Sequence, residues 1–359
     1  MNTTLPSDLS SPPTATIGAN REIHFGRFDQ PIAKPAIAAL GRQCRARTKR
    51  WQYTSLTLAE HFVAIAVADL GYAAHAFVYV VRHPQDPGSP QRAIEHASLT
   101  LTQSLRPALH MAESSIAGTS TWRRRGEHIA ITWRTHGRSV AVTAVPGWHL
   151  DLDWPLGTQR LRGQIVVDRP VASRCLALVH PVAPNQPAYT HKEAGLPAVV
   201  DLRFGDEAIV GPAVATIDWT VGWMSRETRW KWTSAAWLTP DGRRAGLNLS
   251  AQVYDDDAGH SRENAVWLDG QLWPLRGVRY DVPANPASEP WRIRSLGGDE
   301  VDLTFHPRGA RSERLNVGLI VSEFVQPYGS FTGRIRAPNG PDLSLDGVFG
   351  VVEDHLSRW

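Results

Sequence analysis

The sequence has little cysteine, methionine and lysine, and it has no long apolar run. Cys44 and Cys175 are the only cysteines, too few for a disulfide framework or a thiolate metal cluster. With only 3 Met beside 29 Gly and 26 Pro, turns are frequent and long uninterrupted helices are not expected. No apolar stretch approaches the roughly 20 residues of a membrane span, and the first residues lack the basic start and apolar core of a secretory signal. We therefore expect a soluble, cytoplasmic protein.

The charge balance argues against a nucleic-acid partner. The formal net charge is only +3, and nearly all basic residues are Arg, with Lys only at positions 34, 49, 192 and 231. Two basic clusters adjoin tryptophan, at 42–50 before Trp51 and at 123–125 after Trp122. Both are short, and no recognition module accompanies them. We interpret them as charged strand edges, where charge blocks association between sheets.

Apolar residues alternate with period two along most of the chain, which predicts β-strands. Ile129, Ile131 and Trp133 show this alternation, and Asp269-Gly270 forms a tight-turn signal between two apolar runs. Helical signals are poor. Strands joined locally by hairpins form antiparallel meanders, which end as sandwiches or closed barrels, so the predicted fold class is all-β with few short helices.

An internal repeat divides the chain into two related halves. The matching segments are 25–26 with 204–205, 35–40 with 212–217, 50–55 with 229–234, and 69–71 with 248–250. Four matches in the same order, at offsets of about 179 residues by these numbers, indicate a duplication. A unit of this size can form an up-and-down barrel around one small-molecule cavity. We predict a disordered segment at 1–20 and two barrels at 21–185 and 186–359, with the Pro-rich passage 180–197 as linker.

Several motifs resemble one bacterial family. They are Ile217–Gly222 (IDWTVG), Arg226-Glu227, Trp230–Trp232, Glu263–Gly270, Gln326–Gly333, Gly350–His355, and, in the first half, Arg50–Tyr53 and Ala68–Tyr72. This pattern is similar to the family catalogued as domain of unknown function 2804, from about residue 20 to the end. More distantly, the duplicated architecture resembles the tandem lipocalin-like AttH-like proteins and carotenoid hydratases, which handle isoprenoid or other apolar substrates. The resemblance implies a lipocalin-like fold and an apolar small molecule as partner.

A tryptophan-rich segment in the second half is the densest candidate for ligand binding. Trp230 and Trp232 share one face of a strand, and the interior face of a barrel is where a cavity would lie. They would line a site for an apolar ligand or stabilise a cationic intermediate. The alternative is that they are large core residues.

Acidic residues near this segment are candidates for acid–base chemistry. Asp218 and Glu227 would be plausible proton donors if they faced inward, because burial would raise the pKa of a carboxyl group. Asp218 and Glu263 are assigned as candidate catalytic residues. Arg226, Glu227 and Asn264 are candidate ligand contacts. Alternatively, Arg226 and Glu227 form an ordinary surface pair, and strand alternation allows only one of Glu263 and Asn264 to face a cavity.

The C-terminal motif supplies a second acid–base candidate. Glu353 and His355 would share a face and are candidate catalytic residues, whereas Asp354 would point the other way and is assigned to ligand binding. Polar closure of the barrel end is the alternative. Lys192 is a candidate contact for a ligand anion, with an exposed loop lysine as the alternative.

The sequence contains none of the common cofactor or metal motifs. A phosphate-binding loop, a dinucleotide glycine fingerprint, a zincin motif and a serine nucleophile elbow are all missing. We therefore predict neither cofactor nor metal. Three functions stay open: an enzyme performing hydration, isomerisation or cyclisation on an apolar substrate, a carrier of such a ligand, and an interaction protein with filled barrels. The sequence leaves the oligomeric state undetermined.

Overall fold

The computed structural model describes residues 9–37, 47–83, 93–101, 108–136, 145–318 and 320–359. The named elements within these residues are all strands, arranged in two antiparallel sheets. The described part of the chain contains no helix with the length and apolar character that crossing a membrane requires.

The first sheet contains thirteen strands from the first 223 residues. Its main path runs in the order β5-β4-β3-β2-β13-β12-β10-β9-β8-β7-β6, and β11 joins β12 and β1 beside that path. The strands are β1 (Gly26–Phe28), β2 (Thr48–Thr57), β3 (His61–Asp69), β4 (Ala73–Arg82), β5 (Ile94–Leu101), β6 (Leu109–His110), β7 (Thr119–Arg124), β8 (Glu127–His136), β9 (Val145–Leu156), β10 (Gln159–Asp168), β11 (Leu176–Ala183), β12 (Gln186–Phe204) and β13 (Glu207–Trp223).

The second sheet contains ten strands from the rest of the chain. Its main path runs in the order β17-β16-β15-β14-β23-β21-β20-β19-β18, and β22 pairs with β21. The strands are β14 (Glu227–Leu238), β15 (Arg244–Ala251), β16 (Ala265–Leu268), β17 (Gln271–Pro274), β18 (Val278–Asp281), β19 (Trp291–Ser295), β20 (Val301–Val317), β21 (Ile320–Arg336), β22 (Asp342–Ser344) and β23 (Phe349–Arg358). The predicted turn at Asp269-Gly270 joins β16 to β17, and both turn residues have the positive φ that a tight hairpin needs.

The two sheets share one strand order, as a duplication predicts. Counting along each path, β2 takes the place of β14, β13 that of β23, and β12 that of β21. The repeat offset independently aligns Arg50–Ser55 of β2 with Arg229–Ser234 of β14. The predicted all-β, tandem lipocalin-like fold is confirmed: two curled antiparallel half-barrels are built on the same plan.

Each sheet surrounds its own apolar core, and a third cluster joins the sheets. Strand β3 reads as a continuous apolar run because it is buried on both faces. Val63 and Ile65 face the core of the first sheet. Phe62 and Ala64 face the second half, where they join a cluster that includes Trp232. The contact between the halves, which we call the seam, is therefore itself a buried apolar layer.

Two glycines allow the sheets to approach closely at one point. Gly195 has a φ of +79° at a register shift in β12. A Cβ on Gly246 of β15 would lie 2.5 Å from the backbone nitrogen of Gly195. Only a residue without a side chain fits there, because backbone cannot move aside as a flexible side chain can.

The structure places three segments differently from the sequence-based expectation. Residues 180–197 are not a linker, since they lie in the paired strands β11 and β12 and in the short turn between them. The chain passes from the first sheet to the second between Trp223 and Glu227. The predicted domain division at 185/186 stays a prediction. Residues 9–20, assigned to a disordered N-terminus, include isolated bridges and a buried Thr16, while residues 1–8 lie outside the described part. Cys44 and the start of the basic cluster before Trp51 also lie outside it.

Candidate functional site

A cavity of about 390 Å³ lies in the seam between the two half-barrels. We expected a cavity inside one barrel, but each barrel encloses its own core of packed side chains. The residues that line the seam cavity come from both halves and include Trp51, Tyr53, Phe77, Lys192, Asp218, Trp230, Trp232, Tyr254, Glu263, Arg311, Gln326, Glu353 and His355. Seven of the eleven predicted site residues are among them.

The aromatic walls of the cavity are equivalent residues of the two repeats. Trp51 and Trp230 differ by the repeat offset, and their rings stack with centroids 6.4 Å apart and planes within 7°. Tyr53 and Trp232 are the next equivalent pair and meet edge-on at 5.2 Å. Strands β2 and β14 therefore face each other across a local pseudo-twofold relation, and Trp230 and Trp232 face the seam and not the interior of their own barrel.

The first polar centre of the cavity is a buried lysine between two carboxylates. Lys192 Nζ lies 2.5 Å from Asp218 Oδ2 and 3.1 Å from Glu263 Oε1. All three side chains are less than a tenth exposed. The same ammonium lies 5.8 Å from the ring of Trp232, within cation–π range. Lys192 is thus a buried strand residue rather than an exposed loop lysine.

Burial and charge set the protonation of this centre. Burial raises the pKa of Glu263, and the neighbouring Asp218 adds to that rise, although Lys192 opposes it. Burial alone would lower the pKa of Lys192, but Asp218 and Glu263 outweigh it and hold that pKa above its usual value. The lysine therefore stays charged, and the pKa of Glu263 lies above its usual value.

The second polar centre is built around Glu353. Trp230 Nε1 donates to Glu353 Oε1 at 2.7 Å, and Gln326 Nε2 donates to Oε2 at 2.8 Å. Tyr79 Oη donates in turn to Gln326 Oε1 at 2.8 Å, which fixes the orientation of the amide. These donors hold both oxygens of the Glu353 carboxyl group in fixed positions at the wall of the cavity.

His355 lies beside Glu353 and is held by two hydroxyl groups. Its Nε2 lies 3.0 Å from Ser322 Oγ and 2.9 Å from Ser357 Oγ. Its Nδ1 lies 3.6 Å from Glu353 Oε1, and its ring packs 4.1 Å from that of Trp230. This carboxylate–imidazole pair opens onto the cavity and can exchange protons with a bound molecule.

One edge of the cavity carries a further charged group that the sequence did not indicate. Arg311 is 2% exposed and lies between the rings of Phe77 and Phe324, at 4.2 and 5.0 Å. It pairs with Glu313. Burial alone would raise the pKa of Glu313, but His75 and Arg311 lower it to about 2. The guanidinium is thereby neutralised within the protein.

Four predicted site residues do not line the cavity. Arg226 and Glu227 are exposed, and Glu227 Oε2 accepts from Arg358 at 2.9 Å. Asn264 is buried and accepts from the Ser250 amide at 2.6 Å, so it ties loop to strand. Asp354 faces away, as alternation requires, and pairs with Lys231 at 2.6 Å.

Besides Arg311, the residues that sequence reasoning missed include Trp51, Tyr53, Tyr254 and Gln326. The repeat carried the signal for two of them, because Trp51 and Tyr53 align with Trp230 and Trp232. Gln326 lies inside a motif of the family pattern, and no local signal distinguished Tyr254.

A buried cluster outside the cavity has the residue types of a metal site. The ligand atoms of Cys175, His191 and Glu193 lie within 4.8 Å of one another. However, Arg169 Nε donates to Glu193 Oε2 at 2.8 Å, and both side chains are buried. A guanidinium therefore already neutralises the carboxylate, and the cluster is best explained as a buried ion-pair network.

A wider cleft of about 1100 Å³ follows the seam past the opposite ends of β2 and β14. Among its described lining residues the charged or titratable ones are His83, Arg244, His306, Arg308 and Asp346. None of these is a buried carboxylic acid. The acid–base groups of the seam are therefore concentrated in the 390 Å³ cavity.

The motifs around these residues match one family model over residues 19–359, described as a domain of unknown function (DUF2804). The chain belongs to the DUF2804 family. No curated protein matches it in sequence. The membership confirms the resemblance drawn from the sequence, and the family description names no activity.

Solved structures with a similar chain path cover most of the DUF2804 chain at low identity. An AttH protein (NE1406) from Nitrosomonas europaea is 11% identical with a TM-score of 0.44, covering 85% of this chain and 92% of its own. CghA, determined with Sch210972, is 13% identical with a TM-score of 0.49, covering 87% and 89%. Kievitone hydratase from Nectria haematococca is 10% identical with a TM-score of 0.46, covering 85% and 88%. Identity this low carries nothing about the reaction.

Proposed function

We propose that this DUF2804 protein is an enzyme that performs cofactor-free acid–base chemistry on an apolar, lipid or isoprenoid-like small molecule. The observation that carries the proposal is the convergence of Asp218, Glu263 and Glu353 on one cavity with aromatic walls. Protein cavities that bury a small molecule are mostly apolar, with a few convergent polar groups that fix its orientation. Titratable groups in different environments are the usual basis of acid and base roles.

The two polar centres suit opposite roles in proton transfer. Glu263, whose pKa burial raises, would supply a proton at the first polar centre. Glu353, which accepts hydrogen bonds from Trp230 and Gln326, would accept a proton at the second polar centre, with His355 exchanging protons beside it. Asp218 would keep Lys192 charged and in place. Protonation of an alkene at one carbon followed by loss of a proton from another carbon is an isomerisation. The same protonation begins a hydration, in which water then adds to the cation and loses a proton, and a cyclisation, in which a second alkene of the ligand adds to the cation.

The aromatic walls would stabilise positive charge during such a reaction. Trp51, Trp230 and Trp232 line the same cavity as the carboxylates. The face of an indole ring attracts a cation, and this attraction is stronger where water is excluded. A carbocation formed by protonating an alkene is the kind of intermediate that this lining suits.

Deuterium incorporation provides the test. The protein is incubated in D₂O with limonene, carvone and farnesol, and mass spectrometry measures deuterium in the recovered molecules. We expect the wild type to label at least one of them. Glu353→Gln and Glu263→Gln should lower the labelling rate by about 100-fold or more, the usual contribution of a general acid or base.

Asp354→Asn is the matched control, because Asp354 neighbours Glu353 but faces away from the cavity. It should label at the wild-type rate. Equal rates for the wild type and Glu353→Gln would overturn the role of Glu353.

A carrier of the same class of ligand is the second candidate. It is favoured by the apolar seam that encloses the cavity. A carrier would bind the probes and release them without deuterium, and native mass spectrometry would detect the bound molecule. The cytoplasmic location and the lack of a nucleic-acid partner remain predictions from the sequence.

A further inference from the structure

Two carboxylates that line the cavity, Asp218 and Glu353, occupy equivalent positions in the two halves. Asp218 lies on β13 directly opposite Tyr53 of β2. Glu353 lies on β23 directly opposite Trp232 of β14. Because β13 and β23 hold the same place in the two strand orders, the duplication that produced the halves also produced this pair.

The hydrogen bond from tryptophan to carboxylate is duplicated as well. Trp51 Nε1 donates to Asp218 Oδ2 at 3.4 Å, and Trp230 Nε1 donates to Glu353 Oε1 at 2.7 Å. The two indoles are the pair that stacks across the seam. The cavity therefore contains two copies of one tryptophan–carboxylate unit, which we call the first and second copies.

The partners of the two copies have diverged. Lys192 of β12 is paired directly opposite Asp218, while Gln326 of β21, the equivalent strand, donates to Glu353 at 2.8 Å. Opposite the tryptophans, the first copy has Thr220 where the second has His355. The first copy thus has a permanent positive charge and no imidazole, and the second has an imidazole and no permanent charge.

A buried hydroxyl group beside the first copy has no partner within the described protein. Tyr254 is 5% exposed and lines the cavity, and its Oη makes no hydrogen bond to the described residues. Burial raises the pKa of Tyr254 well above its usual value, and Glu263 and Asp218 raise it further, so the hydroxyl keeps its proton. An unsatisfied buried donor is costly, and an acceptor atom on a ligand would satisfy it.

We propose that the Tyr254 hydroxyl and the Lys192 ammonium, beside the first copy, bind a carbonyl oxygen of the substrate. Glu353 of the second copy then removes a proton from a carbon next to that carbonyl, and Glu263 supplies a proton to another carbon of the enolate so formed. The substrate class is then an apolar molecule that carries a ketone or aldehyde. This inference rests on the proposed function, since it assigns the part of the ligand that each copy would contact. Donors held toward a carbonyl oxygen also stabilise the enol or enolate that forms when a neighbouring proton is removed.

Binding of a matched pair of probes tests the inference without requiring turnover. Carvone and limonene have the same carbon skeleton and differ by one carbonyl oxygen. Isothermal titration calorimetry measures their dissociation constants with the wild type and with Tyr254→Phe. We expect the wild type to prefer carvone, and Tyr254→Phe to weaken carvone binding about fivefold, the value of one hydrogen bond, with limonene binding unchanged.

Tyr280→Phe is the matched control. The Tyr280 hydroxyl is also buried, but it donates to Thr233 Oγ1 at 2.9 Å and does not line the cavity. That variant should keep the wild-type preference for carvone.

The outcomes separate this inference from the proposed function. Equal binding of carvone and limonene by the wild type, or an undiminished preference in Tyr254→Phe, would overturn the carbonyl assignment and leave the apolar cavity in place. Binding of neither probe by the wild type would overturn both proposals. Thermal unfolding of Tyr254→Phe checks folding, and because no internal hydrogen bond is lost, its melting temperature should not fall.

Discussion

Replacing Lys192 by methionine should be among the most damaging single changes in this protein. Methionine keeps much of the side-chain length but removes the ammonium that lies 2.5 Å from Asp218 and 3.1 Å from Glu263. Two carboxyl groups would then share one buried site without a counter-charge. Breaking a buried ion pair by removing one partner costs about 3–5 kcal/mol of unfolding free energy. That is a large share of the unfolding free energy of a folded domain, which is typically about 5–15 kcal/mol.

The cost should depend on pH in a defined direction. Burial already raises the pKa of Glu263 in the folded protein, and loss of the neighbouring ammonium would raise it further. A carboxyl group whose folded pKa exceeds its unfolded value favours the folded state at low pH, and this stability is lost as pH rises through the folded pKa. The Lys192→Met variant should therefore be least destabilised at about pH 5 and most destabilised at about pH 8.

Urea unfolding at these two pH values, followed by tryptophan fluorescence, measures the difference. Lys231→Met is the matched control, because Lys231 pairs with Asp354 at 2.6 Å in a more exposed position. It should cost about 0–1 kcal/mol at either pH, as surface ion pairs do. Equal costs for the two lysine variants, or a cost for Lys192→Met that does not change with pH, would refute the reasoning.

Three further changes probe the seam. Tyr254→Phe removes an unsatisfied buried hydroxyl, so it should raise the unfolding free energy of the ligand-free protein by about 1 kcal/mol in urea titrations, and a clear loss would contradict this. A double-mutant cycle with Trp51→Leu and Trp230→Leu should give a coupling of about 0.5–1.5 kcal/mol from their stacking, whereas purely additive losses would argue against the contact. Gly246→Ala should destabilise the fold by about 3 kcal/mol, because its Cβ would meet backbone of the other sheet. Gly297→Ala, whose Cβ would meet nothing, is its control and should stay within about 0.5 kcal/mol of the wild type.

Local patterns in the sequence were sufficient to predict the strands and the duplication. The sequence predicts the turn at Asp269-Gly270 because this dipeptide readily adopts the positive φ angles that a two-residue hairpin turn requires. Both residues have positive φ in the structure. The repeat aligns Trp51 with Trp230 because the segments around them, 50–55 and 229–234, keep similar residue types in the same order. The alternation rule also placed Glu353 and His355 together and turned Asp354 away.

The position of the cavity could not be predicted in the same way. A period of two identifies residues that share a face, but it does not say which face is covered and by what. Trp230 and Trp232 face the first half of the chain because β14 lies against β2, a contact between residues about 179 positions apart in the repeat. Such contacts depend on how whole sheets pack, which no short segment encodes.

Lys192 was misplaced for a different physical reason. The prolines at 181, 184, 187 and 197 suggested a linker, since proline cannot donate a ladder hydrogen bond. In the structure Pro181 and Pro187 face each other at the end of the β11–β12 hairpin, beside a register shift, where a missing donor costs little. The strand continues past them, and Lys192 is carried into the seam.

Trp51 and Trp230 are equivalent residues of the two repeats, and they stack where the halves meet. A symmetric dimer of one repeat could also bring two such tryptophans together, but its two halves could not have diverged. In a homodimer with twofold symmetry, every residue beside the axis meets its own copy, so one substitution changes both sides of a shared site at once. Joining two units in one chain removes that restriction. One carboxylate could acquire a lysine while its counterpart acquired a glutamine and a histidine, and a space with two identical ends could become one with a direction.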